Sequence, residues 1–195
     1  MPVRSQQDRT AATRAALLRA ARPLFGARGY AGVPAEEIVA AAGVTRGALH
    51  HHYVDKKGLF RAVFEEVEAD FMTDVVTAID GVPPEDLVRV AIAAFLDICA
   101  RPEVQQIALT DAPAVLGWQD WRAIESQYGL SLVVALAANS VPVRSGTTTA
   151  ELLGQLVLSA LIEAALLVAH SDDQLLARDQ AEATLLTLFG DLFSP

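Results

Sequence analysis

A chain of 195 residues, 52% hydrophobic, with only 12 glycines and 9 prolines, is long enough to bury one core or two modest ones. That mixture excludes a disordered chain and a collagen-like fibre. A single cysteine, Cys99, excludes a disulfide framework and a thiolate metal cluster; beside Leu96 and Ile98 it reads as a buried thiol.

The net charge of -9 conceals a segregation. Residues 1–60 hold nine basic groups against four acidic ones, or +5, and the rest of the chain carries -14. An acidic body with a basic head can approach DNA when the body points away from the phosphates. Met1 to Arg14 is polar and lacks an apolar export core, so a cytoplasmic location is expected. The longest apolar run, Leu152 to Ala169, carries Gln155 and Glu163 and no basic flank follows. A mid-helix carboxylate is costly in lipid, so this run reads as a buried or interfacial soluble helix.

Every periodic segment is helical, and no alternating strand pattern of useful length occurs. The expected fold is therefore all-α. The first helix is predicted from Thr10 to Ala27, with Ala11, Ala15, Leu18, Ala21 and Phe25 as its buried face and, because of Pro23, either a local bend there or a later start. Gly29 ends it. A second begins near Pro34, with Glu36 and Glu37 placing negative charge in its first turn and Ile38 and Ala41 pointing inward. Ala42-Gly43-Val44 makes a tight turn. Thr45 caps a short third helix reaching Tyr53, anchored by Leu49 and Tyr53.

Asp55 caps a long fourth helix, Lys56 to Ala78, whose apolar stripe is Phe60, Val63, Phe64, Val67, Phe71 and Val75. Gly81 to Pro84 closes it. Further helices are predicted over 85–99, 102–109, 113–138, 149–170 and 172–189, the third of these divisible at Gly117. Thr148 with Glu151, and Ser171 with Gln174, resemble capping boxes. Residues 142–148 form a polar, glycine-containing loop.

Two short helices joined by a tight turn, the second opening on Thr45 and Arg46, can push one helix end into a DNA major groove. Gly47 and Ala48 let that helix lie close to the groove floor. Arg46 can bridge O6 and N7 of guanine, a contact worth roughly 1–3 kcal/mol of discrimination; phosphate contact is the competing role. Thr45 can touch a thymine methyl or a phosphate. Three adjacent histidines turned by about 100° from one another cannot converge on one metal ion; as phosphate donors His50 and His51 are expected at DNA, with a solvated surface role as the alternative for His51 and His52. Tyr53 and Lys56 complete the expected DNA-binding set, with Lys56 at a helix N-terminus that favours a phosphate. No catalytic set, metal site or cofactor motif accompanies this unit.

The segment over about residues 10–64 resembles the TetR-type transcriptional regulators. The pattern is carried by Ala20-Ala21, Leu24-Phe25, Gly29-Tyr30, Ile38-Val39, Ala42-Gly43-Val44, Gly47-Ala48-Leu49, Tyr53, Lys56 and Leu59. Three departures stand out: Val33 where a threonine or serine cap is common, His50 where a tyrosine is common, and Pro23 within the first helix. The resemblance implies a homodimeric repressor that binds a double-stranded DNA operator and leaves it when a small molecule binds the C-terminal part. It divides the chain into a helix-turn-helix DNA-binding domain, residues 1–55, and a helical ligand-binding and dimerisation domain, residues 56–195.

The last two long helices are the expected dimer seam, with Leu152, Leu153, Leu156, Val157, Leu161, Ala164, Ala165 and Val168 on one. Leu175, Leu176, Leu185, Leu186, Leu188 and Phe189 lie on the other. Some of these must instead serve the monomer core. An apolar or aromatic effector is expected at Phe95, Leu109, Trp118, Trp121 and Tyr128, oriented by Gln105, Asp111 and Glu125. The alternatives are a helical enzyme using Asp111, Glu125, Glu163 or His170, and an interaction protein that does not read DNA.

Overall fold

The computed structural model describes residues 6–138, 146, 148–190 and 192, and every regular element among them is helical. Most of the polar loop predicted over 142–148 lies outside the described residues. Packing divides the chain into two compact units. One is the described chain up to Val67 together with Pro102–Trp118; the other is Glu68–Arg101 together with the described chain from Gln119.

The first unit opens with α1 (Gln6–Arg28), which continues through Pro23. Its buried line is Leu17, Ala21 and Phe25, one residue per turn. Ala21 and Phe25 are buried as expected, whereas Ala11 is exposed, Ala15 and Leu18 are only half-buried, and Leu17 takes the place of Leu18. Two helices follow, α2 (Ala35–Ala41) and α3 (Arg46–Tyr53). In α2 the inward pair is Ile38 and Val39; Ala41 is exposed. Pro34 stands at the α2 N-cap without a side-chain bond, and Val33 is fully buried, so packing occupies the position where a hydroxyl cap was missed. Gly43 at φ +65° makes the turn between them, a conformation that a Cβ disfavours.

The long α4 (Lys56–Ile79) starts at Asp55, whose Oδ1 accepts the Gly58 amide at 2.7 Å. All six residues of its predicted stripe are buried, and Leu59 with them. Phe25, Tyr30 and Phe60 close the core of the first unit, with ring centroids 5.2–5.9 Å apart. Against α1 lies α6 (Pro102–Val104), then a π-helical stretch, Gln105–Asp111, then α7 (Ala112–Leu116). Gly117, at φ +89°, divides this run from α8 (Trp118–Ala137) where the sequence allowed a division.

The second unit is built from the rest of α4, α5 (Pro84–Cys99), most of α8, α9 (Ala150–Ala169) and α10 (Gln174–Phe189). Ile92, Leu96, Leu153, Val157, Leu161 and Leu185 form its centre. Helices α8 and α9 approach closely: a Cβ on Gly154 would stand 2.7 Å from Val134 Cγ2, so only glycine fits there. Both predicted capping boxes are displaced. Thr149, not Thr148, caps α9 by accepting the Leu152 amide, and Asp173, not Ser171, caps α10 by accepting that of Leu176. Cys99 is buried as expected, and burial with the nearby Glu68 and Glu125 pushes its thiol pKa well up.

Candidate nucleic-acid interface

Helix α3 is held from within and left bare outside. Leu49 and Tyr53 are buried, while Thr45, Arg46, Gly47, His50 and His51 are all exposed. Thr45 Oγ1 accepts the Ala48 amide at 3.2 Å, which satisfies one free donor at the α3 N-terminus and fixes the tip. A methyl on Gly47 would meet nothing nearer than Thr45 Oγ1 at 3.7 Å. The fold itself therefore does not require glycine there.

Arg46 is 77% exposed and lies 2.7 Å from Glu36 of α2. An ion pair this open is worth about 0–1 kcal/mol, so the guanidinium can leave it for a stronger partner. Lys56 was expected to face a phosphate, but the structure draws it inward. Its Nζ donates to the Tyr30 and Val33 carbonyls at 2.9 and 3.1 Å and stands 4.0 Å from the Tyr30 ring centroid. The ammonium satisfies turn carbonyls between α1 and α2 that have no helical partner. Tyr53 is also turned inward, donating its hydroxyl to the Arg14 carbonyl at 3.2 Å beneath the Arg14 guanidinium. His51 and His52 meet edge to face at 4.9 Å, and no group of three or more metal-ligating side chains occurs among the described residues.

The residues expected to hold an effector fall in different surroundings. Asp111 belongs to the first unit, where its Oδ2 accepts the Tyr30 amide at 2.7 Å and Gln106 Nε2 at 3.1 Å. Gln105 and Leu109 share its π-helical stretch, half-buried and buried respectively. Trp118 is 65% exposed, so it does not line an enclosed cavity. In the second unit, half-buried Phe95 meets Phe71 edge to face at 5.3 Å. Trp121, Glu125 and Tyr128 follow one side of α8: Trp121 is fully buried, Glu125 is buried and Tyr128 is half-buried. Arg122 donates to Glu125 at 3.2 Å and to Ser159 at 3.0 Å. Burial nevertheless raises the Glu125 pKa to about 8, with Glu68 adding to it and the guanidinium only partly offsetting it.

Two features escaped the sequence reading. Glu68, crowded by protein, has its pKa raised to about 7 by burial. Its signal was present, because Phe64, Glu68, Phe71 and Val75 recur at helical spacing within the α4 stripe. The fork from Arg22 Nε and Nη2 onto both carboxylate oxygens of Glu103, each at 3.0 Å, joins residues 81 apart and leaves no local trace.

With that geometry in view, the chain matches two family models: "Bacterial regulatory proteins, tetR family" over residues 17–63, and "Tetracyclin repressor-like, C-terminal domain" over residues 86–192. A solved TetR-family transcriptional regulator from Pectobacterium atrosepticum is 34% identical, with a TM-score of 0.81 over 98% of this chain and 100% of that one. The transposon Tn10 TetC protein of Escherichia coli is 26% identical over 70% of this chain and 69% of its own length. The HTH-type transcriptional repressor BepR of Brucella suis is 32% identical over 55% of this chain and 53% of its own.

Proposed function

Because the chain belongs to the tetR family of bacterial regulatory proteins, and so is a DNA-binding regulator, we propose that it acts as a homodimeric repressor. It leaves a palindromic operator when a small apolar or aromatic effector binds. The observation that carries this reading is the α3 tip: capped by Thr45, anchored from behind by Leu49 and Tyr53, and presenting Arg46, Gly47, His50 and His51 to solvent. Residues 1–55 read DNA, and residues 56–195 bind the effector and pair the subunits. Repression is supported by the Brucella suis relative, which is itself a repressor.

Pairing is supported by how α9 and α10 sort their leucines. Leu153, Val157, Leu161, Ala165 and Val168 are consumed by the monomer core, whereas Leu152, Leu156 and Leu167 of α9 and Leu175, Leu176 and Leu188 of α10 are exposed. So much apolar surface on two adjacent helices suits a second copy of the chain. Twofold pairing would set two α3 tips about 34 Å apart, one turn of DNA. For the effector we keep Phe95, Trp121, Glu125 and Tyr128, all in the second unit, with Glu125 orienting a polar group of the ligand.

The test compares purified protein on its upstream intergenic DNA and on a scrambled duplex of equal length at near-physiological salt. Tighter binding to the upstream DNA, lost with Arg46→Ala, is expected. Equal affinity for both duplexes would count against regulation at that locus.

A further inference from the structure

The basic head is largely spent on the protein itself. In the first unit Arg22 is forked onto Glu103, Arg28 pairs with Glu37, and Arg46 meets Glu36. Arg14 donates to the His52 carbonyl at 3.2 Å, and Lys56 serves two turn carbonyls. Of the described cations before residue 60, Arg9, Arg19 and Lys57 make no side-chain hydrogen bond or ion pair to a described residue. Arg9 lines a concave site: an open cleft between the first turns of α1 and the flank of α3, walled by Arg9, Thr10, Thr13, His51 and His52.

We propose that this cleft is a phosphate site, in which Arg9, Thr10 and His51 hold one backbone phosphate of duplex DNA beside the inserted α3 tip. The inference rests on the DNA-binding reading above and extends the interface from α3 onto α1. A guanidinium fork matches two phosphate oxygens, and a threonine hydroxyl and an imidazole N–H supply further donors. Thr13 gives its hydroxyl proton to the Arg9 carbonyl at 3.0 Å and so forms wall rather than donor. Burial, with His51 and Arg14 adding to it, shifts the His52 pKa downward, and His52 forms wall. Among the described residues that line the cleft none is acidic.

The placement also fits the duplex. His51 lies four residues after Gly47, on the side of α3 opposite buried Leu49 and Tyr53. Phosphates border the groove that a recognition helix enters, and contacts to them set its register. A site on the flank of α3 lies where such a phosphate must pass.

The test uses the full-length protein and a fluorescently labelled duplex of arbitrary sequence, with affinity measured by anisotropy across a range of salt. Losing one phosphate contact should make the slope of log affinity against log salt shallower by about 0.9, and weaken binding about 8-fold at 0.1 M salt. Arg9→Ala should show this loss, and Arg9→Lys should restore the slope. Arg19→Ala, on the same helix but about 15 Å further along its axis, should change neither. An unchanged slope for Arg9→Ala, or an equal loss for Arg19→Ala, overturns the site and leaves the DNA-binding reading standing. Absence of salt-dependent binding in the unmodified protein would remove that reading as well. Displacement of the duplex by low-millimolar inorganic phosphate at fixed ionic strength would assign the cleft to a free anion and overturn the DNA assignment.

Discussion

Replacing Asp111 by alanine should loosen the first unit at the junction of α1 and α2. The Asp111 carboxylate accepts the Tyr30 amide at 2.7 Å and Gln106 Nε2 at 3.1 Å. Gly29, just before, ends α1 at φ +70°, so the Tyr30 N–H points away from the helix and is met by this carboxylate. A hydrogen bond to a charged acceptor contributes about 1.5–3 kcal/mol, and the half-buried setting places the loss near 2 kcal/mol. Asp111→Asn keeps an oxygen there without the charge and should cost about half as much. Because two compact units need not unfold together, the informative assay is amide hydrogen exchange over residues 25–33 rather than a single melting curve. A loss of 2 kcal/mol corresponds to exchange about 30-fold faster for amides that open with this junction. Exchange unchanged in Asp111→Ala would show that water replaces the carboxylate without loss. An asparagine variant as labile as the alanine would show that charge, not the bond, holds the turn.

Gly47→Ala should stabilise α3 by about 0.5–1 kcal/mol, because glycine is a poor helix former and a methyl has room, yet weaken DNA binding by holding the helix off the groove floor. A rise in melting temperature with unchanged DNA affinity would contradict the close approach. Glu125 and Glu68 carry pKa values of about 8 and about 7 in the fold against an ordinary 4.5. The unfolded chain therefore releases these protons first. Stability should fall by an amount on the order of a few kcal/mol as pH rises from about 4.5 to about 8, and level off above. Melting temperatures across that range would show it, and Glu125→Gln should flatten the fall; a stability that climbs with pH would reverse the argument. Leu156 and Leu167 are 60% and 66% exposed, so changing both to glutamate should leave the fold intact while halving the mass seen by sedimentation equilibrium. A variant that sediments with the mass of the unmodified protein would place the subunit contact elsewhere.

Readings that depend on a few neighbouring residues agree with the structure. The turn at Gly43, the Thr45 and Asp55 caps, the anchors Leu49 and Tyr53 and the α4 stripe are set by short spacing and by backbone groups that a nearby side chain can reach. Errors of one or two residues, as at Thr149 and Asp173, come from having several capping side chains in a row, where only the path of the chain selects one. The N-terminal part of the α1 face differs for a related reason: an alanine-rich helix offers several apolar lines, and the partners packed against it choose Leu17 to join Ala21 and Phe25.

Folding together distant segments decided the rest. Asp111 reads as a ligand-orienting acid in sequence, yet the chain returns it to an amide 81 residues earlier; Arg22 finds Glu103 across the same separation. Lys56 stands in sequence as a free cation at a helix start and is claimed by two carbonyls of a turn that only packing brings near. Periodicity gives α9 one polar line, Glu151, Gln155, Ser159 and Glu163, with leucines on its other sides, and only the arrangement of α5, α8 and α10 around it shows which of them are covered. Local geometry repeats every few residues and can be read along the chain, whereas the partner of a charge or of an apolar face is fixed by contacts whose sequence separation carries no pattern.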